Sequence, residues 1–167
     1  MISLRLQLAS LAATEKLGSV IAGHLQPGDR LFLIGEIGSG KTTLARAVGF
    51  ALQAEPPLTS PTFLLVSEHQ GVLPIWHADA YRLPPGSDPF AAGLIDEGHA
   101  AGVTIIEWPE QVDWPIRGNG GAHLEVALTA TTTEEERIAT VQVEDAARAR
   151  TLQDALVSAG FEVSDGA

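Results

Sequence analysis

The chain has 167 residues, 45% of them hydrophobic and 19% charged, and this composition predicts one compact domain over 1–167. It contains no cysteine, which excludes disulfides, thiol nucleophiles and cysteine-bound metal sites. Ten Lys and Arg residues against 21 Asp and Glu residues give a net charge of −11, which disfavours a general nucleic-acid-binding surface. No apolar run approaches the roughly 18 residues of a membrane-spanning helix, so we expect a cytoplasmic protein without membrane contacts.

The first third of the chain predicts strand, helix, strand and helix in that order. Leucines alternate with polar residues up to Leu8, which indicates a half-buried strand rather than a signal peptide. Ser10 can cap a helix, which is expected to run towards Leu25. The apolar run 30–34 predicts a buried strand that enters a glycine-rich loop. Leucine and valine then recur at helical spacing, which predicts a helix from Thr42 to about Gln53.

The remainder of the chain predicts mainly strands and a closing helix. The proline-rich segment 84–89 is expected to hold no regular element. The last two strands should form a hairpin, and residues 146–167 should be a C-terminal helix and tail. The predicted ranges are strands Thr62–Glu68, Val72–Asp79, Val103–Glu107, His123–Ala130 and Ile138–Glu144, and helix Ala146–Ala159.

A phosphate-binding loop is the most specific motif in the sequence. Residues 35–42 read Gly-Glu-Ile-Gly-Ser-Gly-Lys-Thr and match G-x-x-x-x-G-K-[ST] between a predicted strand and a predicted helix. In such a loop Lys41 would reach the β- and γ-phosphates, and the Thr42 hydroxyl would take one place on Mg²⁺. The alternative is a glycine-rich turn with an exposed lysine. We expect an α/β, P-loop NTPase-like three-layer fold, with a largely parallel sheet and antiparallel edge strands.

Four further residues are considered for hydrolysis chemistry. Glu107 ends a buried strand, where an acid of the magnesium shell is placed, although it could also emerge into solvent there. Asp79 could hold the attacking water, or be a turn or capping aspartate. Thr62 follows Ser60 and Pro61 in a stiff loop where a γ-phosphate is sensed. Arg82 could be an arginine finger but is more often a surface ion-pair partner.

The combination of these motifs resembles the TsaE (YjeE) family, P-loop ATPases of bacterial tRNA threonylcarbamoyladenosine synthesis. The resemblance extends from about residue 10 to residue 110, and the motifs together are far more specific than the phosphate loop alone. Five blocks match in order: the loop and helix start at 35–44, Ser60-Pro61-Thr62-Phe63, His77-Ala78-Asp79-Ala80-Tyr81-Arg82-Leu83, Gly93-Leu94, and Ile105-Ile106-Glu107-Trp108-Pro109-Glu110.

The resemblance implies ATP and Mg²⁺ as cofactors and assigns the site residues. It implies that Asp79, Glu107, Lys41 and Thr62 are catalytic, and that Thr42 and Glu107 serve the metal. The nucleotide contacts that it implies are Gly35, Ile37, Gly38, Ser39, Gly40, Lys41, Thr42, Thr43, Trp108 and, near the base, Leu11. Its implied partners are the proteins TsaB and TsaD, with tRNA reached only through the complex and ATP hydrolysis stimulated by the partners.

Two alternatives stay open at this point. A small P-loop kinase acting on a metabolite would clamp two substrates with an arginine-rich lid, but only Arg82 and Arg117 lie between Ser60 and Gly120. A nucleotide-gated binding module with incidental hydrolysis is the other. The absence of an Asn-Lys-x-Asp motif favours ATP over GTP in each case.

Overall fold

The sequence patterns form eight β-strands and three α-helices in the computed structural model, which describes residues 1–61, 64–114 and 123–166. The element order alternates strands and helices in the first third and ends with strands around the last helix. The bounds are β1 Ile2–Leu8, α1 Leu11–Ala22, β2 Arg30–Ile34, α2 Lys41–Ala51, β3 Val66–Gln70, β4 Pro74–Asp79, β5 Val103–Glu107, β6 His123–Ala130, β7 Arg137–Val143, α3 Ala146–Ser158 and β8 Val163–Asp165.

All eight strands join one sheet in the order β3-β4-β5-β2-β6-β7-β1-β8. The four central strands β4, β5, β2 and β6 run parallel to one another. Antiparallel strands flank them, with β3 at one edge and β7, β1 and β8 at the other. The α/β fold with a parallel centre and antiparallel edges is confirmed. The carboxyl ends of β2, β4 and β5 consequently meet at one edge of the sheet, where ligands of such folds bind.

The two faces of the sheet are covered differently. All three helices pack on one face in a large apolar cluster, which includes Leu17, Val48 and Leu152. The other face buries Phe32 and Ile106 under residues of the segment 80–114, which contains two short 3₁₀ turns. The third layer is therefore an irregular segment in place of helices. Within the described residues, no helix is long and apolar enough to cross a bilayer.

Most predicted elements are confirmed, several bounds are corrected, and one strand was not predicted. The first helix is capped by Ser10 as predicted but ends at Ala22, before Leu25. The third strand begins at Val66, because Leu65 packs as loop against the second apolar cluster. The fourth begins at Pro74 and not Val72. Strand β8 has no counterpart in the sequence prediction; its three residues pair with β1 over Leu4–Leu6.

Candidate functional site

The loop between β2 and α2 has a backbone shape that requires glycine. Gly35 has φ 150°, and a Cβ there would lie 2.5 Å from the carbonyl oxygen of Leu128. Gly40, the residue before α2, has φ 105°, in the left-handed region that side chains disfavour. The loop thus ends at the N-terminus of an eleven-residue helix, whose unpaired N–H groups and dipole favour an anion.

The ammonium group of Lys41 lies inside this loop and is almost excluded from water. Lys41 is only 5% exposed, and its Nζ donates to the carbonyl oxygens of Gly35 at 2.5 Å and Glu36 at 2.9 Å. Nζ also lies 4.1 Å from the ring centroid of Trp108. Burial lowers the pKa of Lys41, while the nearby carboxylates of Glu107, Glu110 and Asp79 oppose that shift. The interpretation as an exposed lysine on a turn is wrong.

The hydroxyl of Thr42 and the carboxylate of Glu107 are in direct contact. Thr42 Oγ1 donates to Glu107, 3.0 Å from Oε1 and 2.9 Å from Oε2. Glu107 is 2% exposed, so it does not emerge into solvent at the strand end. A second buried side chain, His77 on β4, has Nε2 2.8 Å from Glu107 Oε1. An oxygen pair of this kind, a hydroxyl and a carboxylate, is the donor chemistry that Mg²⁺ prefers.

Asp79 lies beside Glu107 because β4 and β5 run parallel with these two residues in register. Its Oδ1 accepts the backbone N–H of Tyr81 at 2.9 Å, so the turn contact that the sequence left as an alternative exists. The same side chain lines the cavity above Lys41. Burial raises the pKa of Asp79, and the charge of Glu107 adds to the rise against the opposing effects of the Tyr81 N–H, His77 and Lys41.

Trp108 is held over the loop by an unusual backbone. Its φ of 59° and ψ of 45° lie in the left-handed region, which costs of order 1–3 kcal/mol for a side chain of this size. Its ring centroid is 4.9 Å from that of Tyr81. The turn after β5 therefore places an indole against Lys41 that a regular strand continuation would direct elsewhere.

These residues surround one open cavity of about 290 Å³. It has loop backbone on one side and carboxylates and an indole on the other. The lining residues are Ile37, Gly38, Gly40, Lys41, Thr42, Thr43, Asp79, Glu107 and Trp108. A neighbouring cavity of about 470 Å³ shares Ile37, Asp79 and Trp108 with it and includes the exposed Arg82.

Two predicted nucleotide contacts lie on the other side of the loop. Leu11, 55% exposed at the start of α1, and the buried Ser39 line a third cavity of about 320 Å³ together with Gly40, Thr43 and Arg137. The structure therefore brings Leu11 to the loop but not to Lys41. Gly35 contributes its carbonyl to Lys41 and does not line either cavity. Thr62 lies outside the described residues.

Arg137 and His77 are site residues that the sequence prediction did not assign. Arg137, the first residue of β7, donates from Nε to Ser39 O at 3.0 Å and from a terminal nitrogen to Gly38 O at 3.3 Å. It therefore ties the loop to the far hairpin. Arg137 lies outside the five motif blocks that the sequence analysis matched. For His77 the signal was its place two residues before Asp79 in the same motif.

The arrangement fits a nucleotide with a divalent cation. Two carboxylates beside a triphosphate would repel it, and a cation held by Thr42 and Glu107 would remove that repulsion. In the described part of the chain, no group of three or more His, Asp or Glu side chains is arranged to hold a metal. The protein ligands for an ion here would be Thr42 and Glu107, and other oxygens would come from phosphate and water.

The chain is similar to known proteins over most of its length. The family model "Threonylcarbamoyl adenosine biosynthesis protein TsaE" matches residues 8–139. A Bacillus subtilis (strain 168) protein named tRNA threonylcarbamoyladenosine biosynthesis protein TsaE is 35% identical over 101 residues, which are 60% of this chain and 63% of that protein. A Mycobacterium tuberculosis (strain H37Rv) protein of the same name is 34% identical over 139 residues, 76% of this chain and 79% of that protein.

A solved structure extends the likeness to nearly the whole fold. The crystal structure of YdiB from Bacillus subtilis superposes with a TM-score of 0.69 and 26% identity, and the match covers 95% of this chain and 97% of that one. The residues that the family model matches include the phosphate loop, Asp79, Glu107 and Arg137. The chain, with its P-loop nucleotide-binding fold, belongs to the TsaE family.

Proposed function

We propose that the protein binds ATP with Mg²⁺ and hydrolyses it slowly, at a rate that depends on protein partners. The observation that carries the proposal is the meeting of Lys41, the Thr42 hydroxyl and the buried Glu107 carboxylate in one cavity at the N-terminus of α2. The ammonium group and the helix N–H groups suit the phosphates. Thr42 and Glu107 suit the cation, which supplies charge neutralisation when it is bound.

Asp79 is proposed to orient the attacking water, and Thr62 to sense the γ-phosphate. Asp79 lines the phosphate cavity, and burial raises its pKa, which favours a group able to hold a proton near the reacting centre. Among the residues that the structure describes, no arginine lines that cavity. A cation that stabilises the charge of the transition state is worth about 10³–10⁵ in rate for such NTPases, so slow turnover by the chain alone is expected.

We further propose that this ATPase acts in threonylcarbamoyladenosine modification of tRNA next to the anticodon, through TsaB and TsaD. The names of the related proteins support the pathway. The net charge of −11 supports protein contacts in preference to direct contact with the RNA backbone. The tRNA would be reached only through the complex.

The site assignment is tested by binding and turnover in two variants. Lys41→Ala is expected to abolish ATP binding, because the loop loses its only ammonium group. Asp79→Ala is expected to keep binding within about threefold and to lose turnover, because it removes a group that acts after binding. Lys16→Ala, which changes the other lysine of the chain on the exposed face of α1, is the matched control. Retained binding by Lys41→Ala, or unchanged turnover by Asp79→Ala, contradicts the proposed roles.

The partner assignment is tested separately with purified TsaB and TsaD. Capture of the two proteins by this chain is expected to depend on whether ATP, ADP or no nucleotide is present, and ATP turnover is expected to rise when they are added. Fast turnover by the single chain, or no change on addition of both proteins, contradicts the dependence on partners.

A further inference from the structure

The buried face of β4 places a histidine directly behind Glu107. His77 and Asp79 point to the same face of the sheet because side chains alternate along a strand, and Asp79 is in register with Glu107 on β5. His77 has no exposed area, and its Nε2 lies 2.8 Å from Glu107 Oε1. The carboxylate is thus contacted from two sides, by Thr42 of α2 and by His77 of β4.

The chemistry of this contact fixes its direction. An ionised carboxylate only accepts hydrogen bonds, so Nε2 of His77 carries the hydrogen and donates it to Oε1. The other ring nitrogen, Nδ1, is buried and has no hydrogen-bond partner among the described residues. A polar ring at a buried position costs free energy unless it is hydrogen-bonded. The contact with Glu107 is therefore the one polar interaction in the described part of the chain that accounts for a histidine here.

A second buried histidine shows the contrast. His69 on β3 is 4% exposed, with Nδ1 2.6 Å from the carbonyl oxygen of Pro56 and Nε2 2.9 Å from the hydroxyl of Ser67. Both of its nitrogens are used in local contacts with loop and strand. His69 connects structural segments, whereas His77 is connected to the carboxylate of the proposed metal site.

We propose that His77 is a positioning residue that orients the Glu107 carboxylate toward the Mg²⁺ ion of the bound nucleotide. The inference rests on the function proposed above. With Oε1 held by the imidazole, the carboxylate cannot rotate freely, and its orientation next to the Thr42 hydroxyl is set before an ion binds. Loss of a hydrogen-bond partner behind a metal ligand typically lowers metal affinity about 10–100-fold.

The test is the Mg²⁺ concentration that gives half-maximal tight ATP binding, followed with a fluorescent ATP analogue. His77→Leu is expected to raise that concentration about tenfold or more, because it removes the donor. Its affinity for ATP in EDTA is expected to stay within about threefold of wild type, because Lys41 and the loop are unchanged. His77→Gln, whose side-chain amide can donate to Glu107, is expected to restore a near wild-type Mg²⁺ requirement. His69→Leu is the matched control and is expected to leave the Mg²⁺ requirement unchanged.

Two results overturn the role of His77: a wild-type Mg²⁺ requirement in His77→Leu, or an equal loss of ATP affinity with and without Mg²⁺. If His77→Leu does not fold, His77→Asn, whose shorter amide ends before Glu107, takes its place with the same expected rise. A wild-type chain that binds no ATP overturns the proposed function itself. The two failures are therefore distinguishable, because failure of the proposed function is visible in the wild-type protein, whereas failure of the role of His77 is visible only in the variants.

Discussion

Lys41 is an ammonium group that is almost excluded from water. Two backbone carbonyls accept its hydrogens, and the face of Trp108 covers it. Carbonyl dipoles and an aromatic face stabilise a cation, and the nearby carboxylates of Glu107, Glu110 and Asp79 stabilise it further. A cation held in this way suits a phosphate ligand, which gives a reason why one of only two lysines in an acidic chain lies here.

Asp79 is expected to reduce the stability of the fold that carries it. Folding raises its pKa, chiefly through burial, so the carboxyl favours the folded state only when protonated. That contribution is present at low pH and is lost as the pH rises through the folded-state pKa. Asp79→Asn keeps an oxygen for the Tyr81 N–H and removes the charge, so it should unfold at a higher temperature than wild type at pH 7.5.

The measurement is thermal unfolding of the two proteins between pH 7.5 and pH 4.5. The difference in unfolding temperature between Asp79→Asn and wild type is expected to narrow as the pH approaches the ordinary aspartate pKa of about 3.9. Asp154→Asn, a change at an exposed position of α3, is the control and should move stability by no more than about 0.5 kcal/mol. An Asp79→Asn protein less stable than wild type at pH 7.5 contradicts this account.

At the scale of elements, the pair α1 and α2 carries the loop. Gly18 in the middle of α1 weakens the helix as an isolated segment, but it lets α2 approach closely. A Cβ at Gly18 would lie 2.4 Å from the Cβ of Ala47 and 3.1 Å from backbone atoms of α2. The packing distance between these helices is thus set by a residue that has no side chain.

Gly18→Ala is expected to destabilise the protein despite the better helix former. Alanine gains about 0.8–1.0 kcal/mol of helix propensity, whereas overpacking costs typically 1–3 kcal/mol, and the contacting atoms belong to a short side chain and to backbone. Denaturant unfolding should show a net loss of about 1 kcal/mol. Gly23→Ala is the control and should be neutral or stabilising, since Gly23 has φ −66° and a Cβ there would make only ordinary van der Waals contacts, the nearest at 3.6 Å. A Gly18→Ala protein more stable than wild type would contradict the close packing of α1 against α2 at Gly18.

Local sequence patterns predicted the strand and helix that flank the loop, because neighbouring residues determine these elements. The apolar run of β2, the glycines and the helical spacing of α2 stand together in the sequence. Strand β8 was missed because it is three residues long and exists through pairing with β1. The start of β3 was misplaced because Leu64 and Leu65 favour a strand locally, while the structure has both as loop, with Leu65 packed against the second apolar cluster.

The contacts that complete the site could not be predicted from spacing. Arg137 contacts Gly38 and Ser39 across about 100 residues of sequence, and that contact depends on the hairpin β6–β7 joining the sheet next to β2. His77 contacts Glu107 because β4 lies beside β5. His77 was visible in a matched motif and Arg137 was not, and in both cases only the strand order brings the residue to the site.

At the scale of the whole molecule, the last helix is tied to the core by a partly buried ion pair. Arg148 of α3 donates to Asp29 at 2.9 and 2.5 Å and to the His24 carbonyl at 2.7 Å. Asp29 is 2% exposed and also accepts the Gln26 N–H at 2.8 Å. The pair connects α3 to the turn between α1 and β2, at the opposite end of β2 from the phosphate loop.

Arg148→Met is expected to lower the free energy of unfolding by about 3 kcal/mol, because it leaves the Asp29 charge buried without its partner. Nucleotide affinity at a temperature where the variant is folded should stay at the wild-type value. The measurements are denaturant unfolding and an ATP titration. Arg150→Met, an exposed change on the same helix, should cost no more than about 0.5 kcal/mol. Equal stabilities of the two variants would contradict the role of the ion pair in stability. A selective loss of ATP affinity in Arg148→Met would contradict its independence from the phosphate loop at the other end of β2.

A crystal structure with Mg²⁺ and a non-hydrolysable ATP analogue would show whether the loop at the carboxyl ends of β2, β4 and β5 holds a triphosphate and its cation. We expect phosphates against the N–H groups at the start of α2, Lys41 Nζ turned from the loop carbonyls to a phosphate oxygen, and the ion beside Thr42 and Glu107. A triphosphate bound elsewhere, or an ion that has neither Thr42 nor Glu107 beside it, would contradict the proposed binding site.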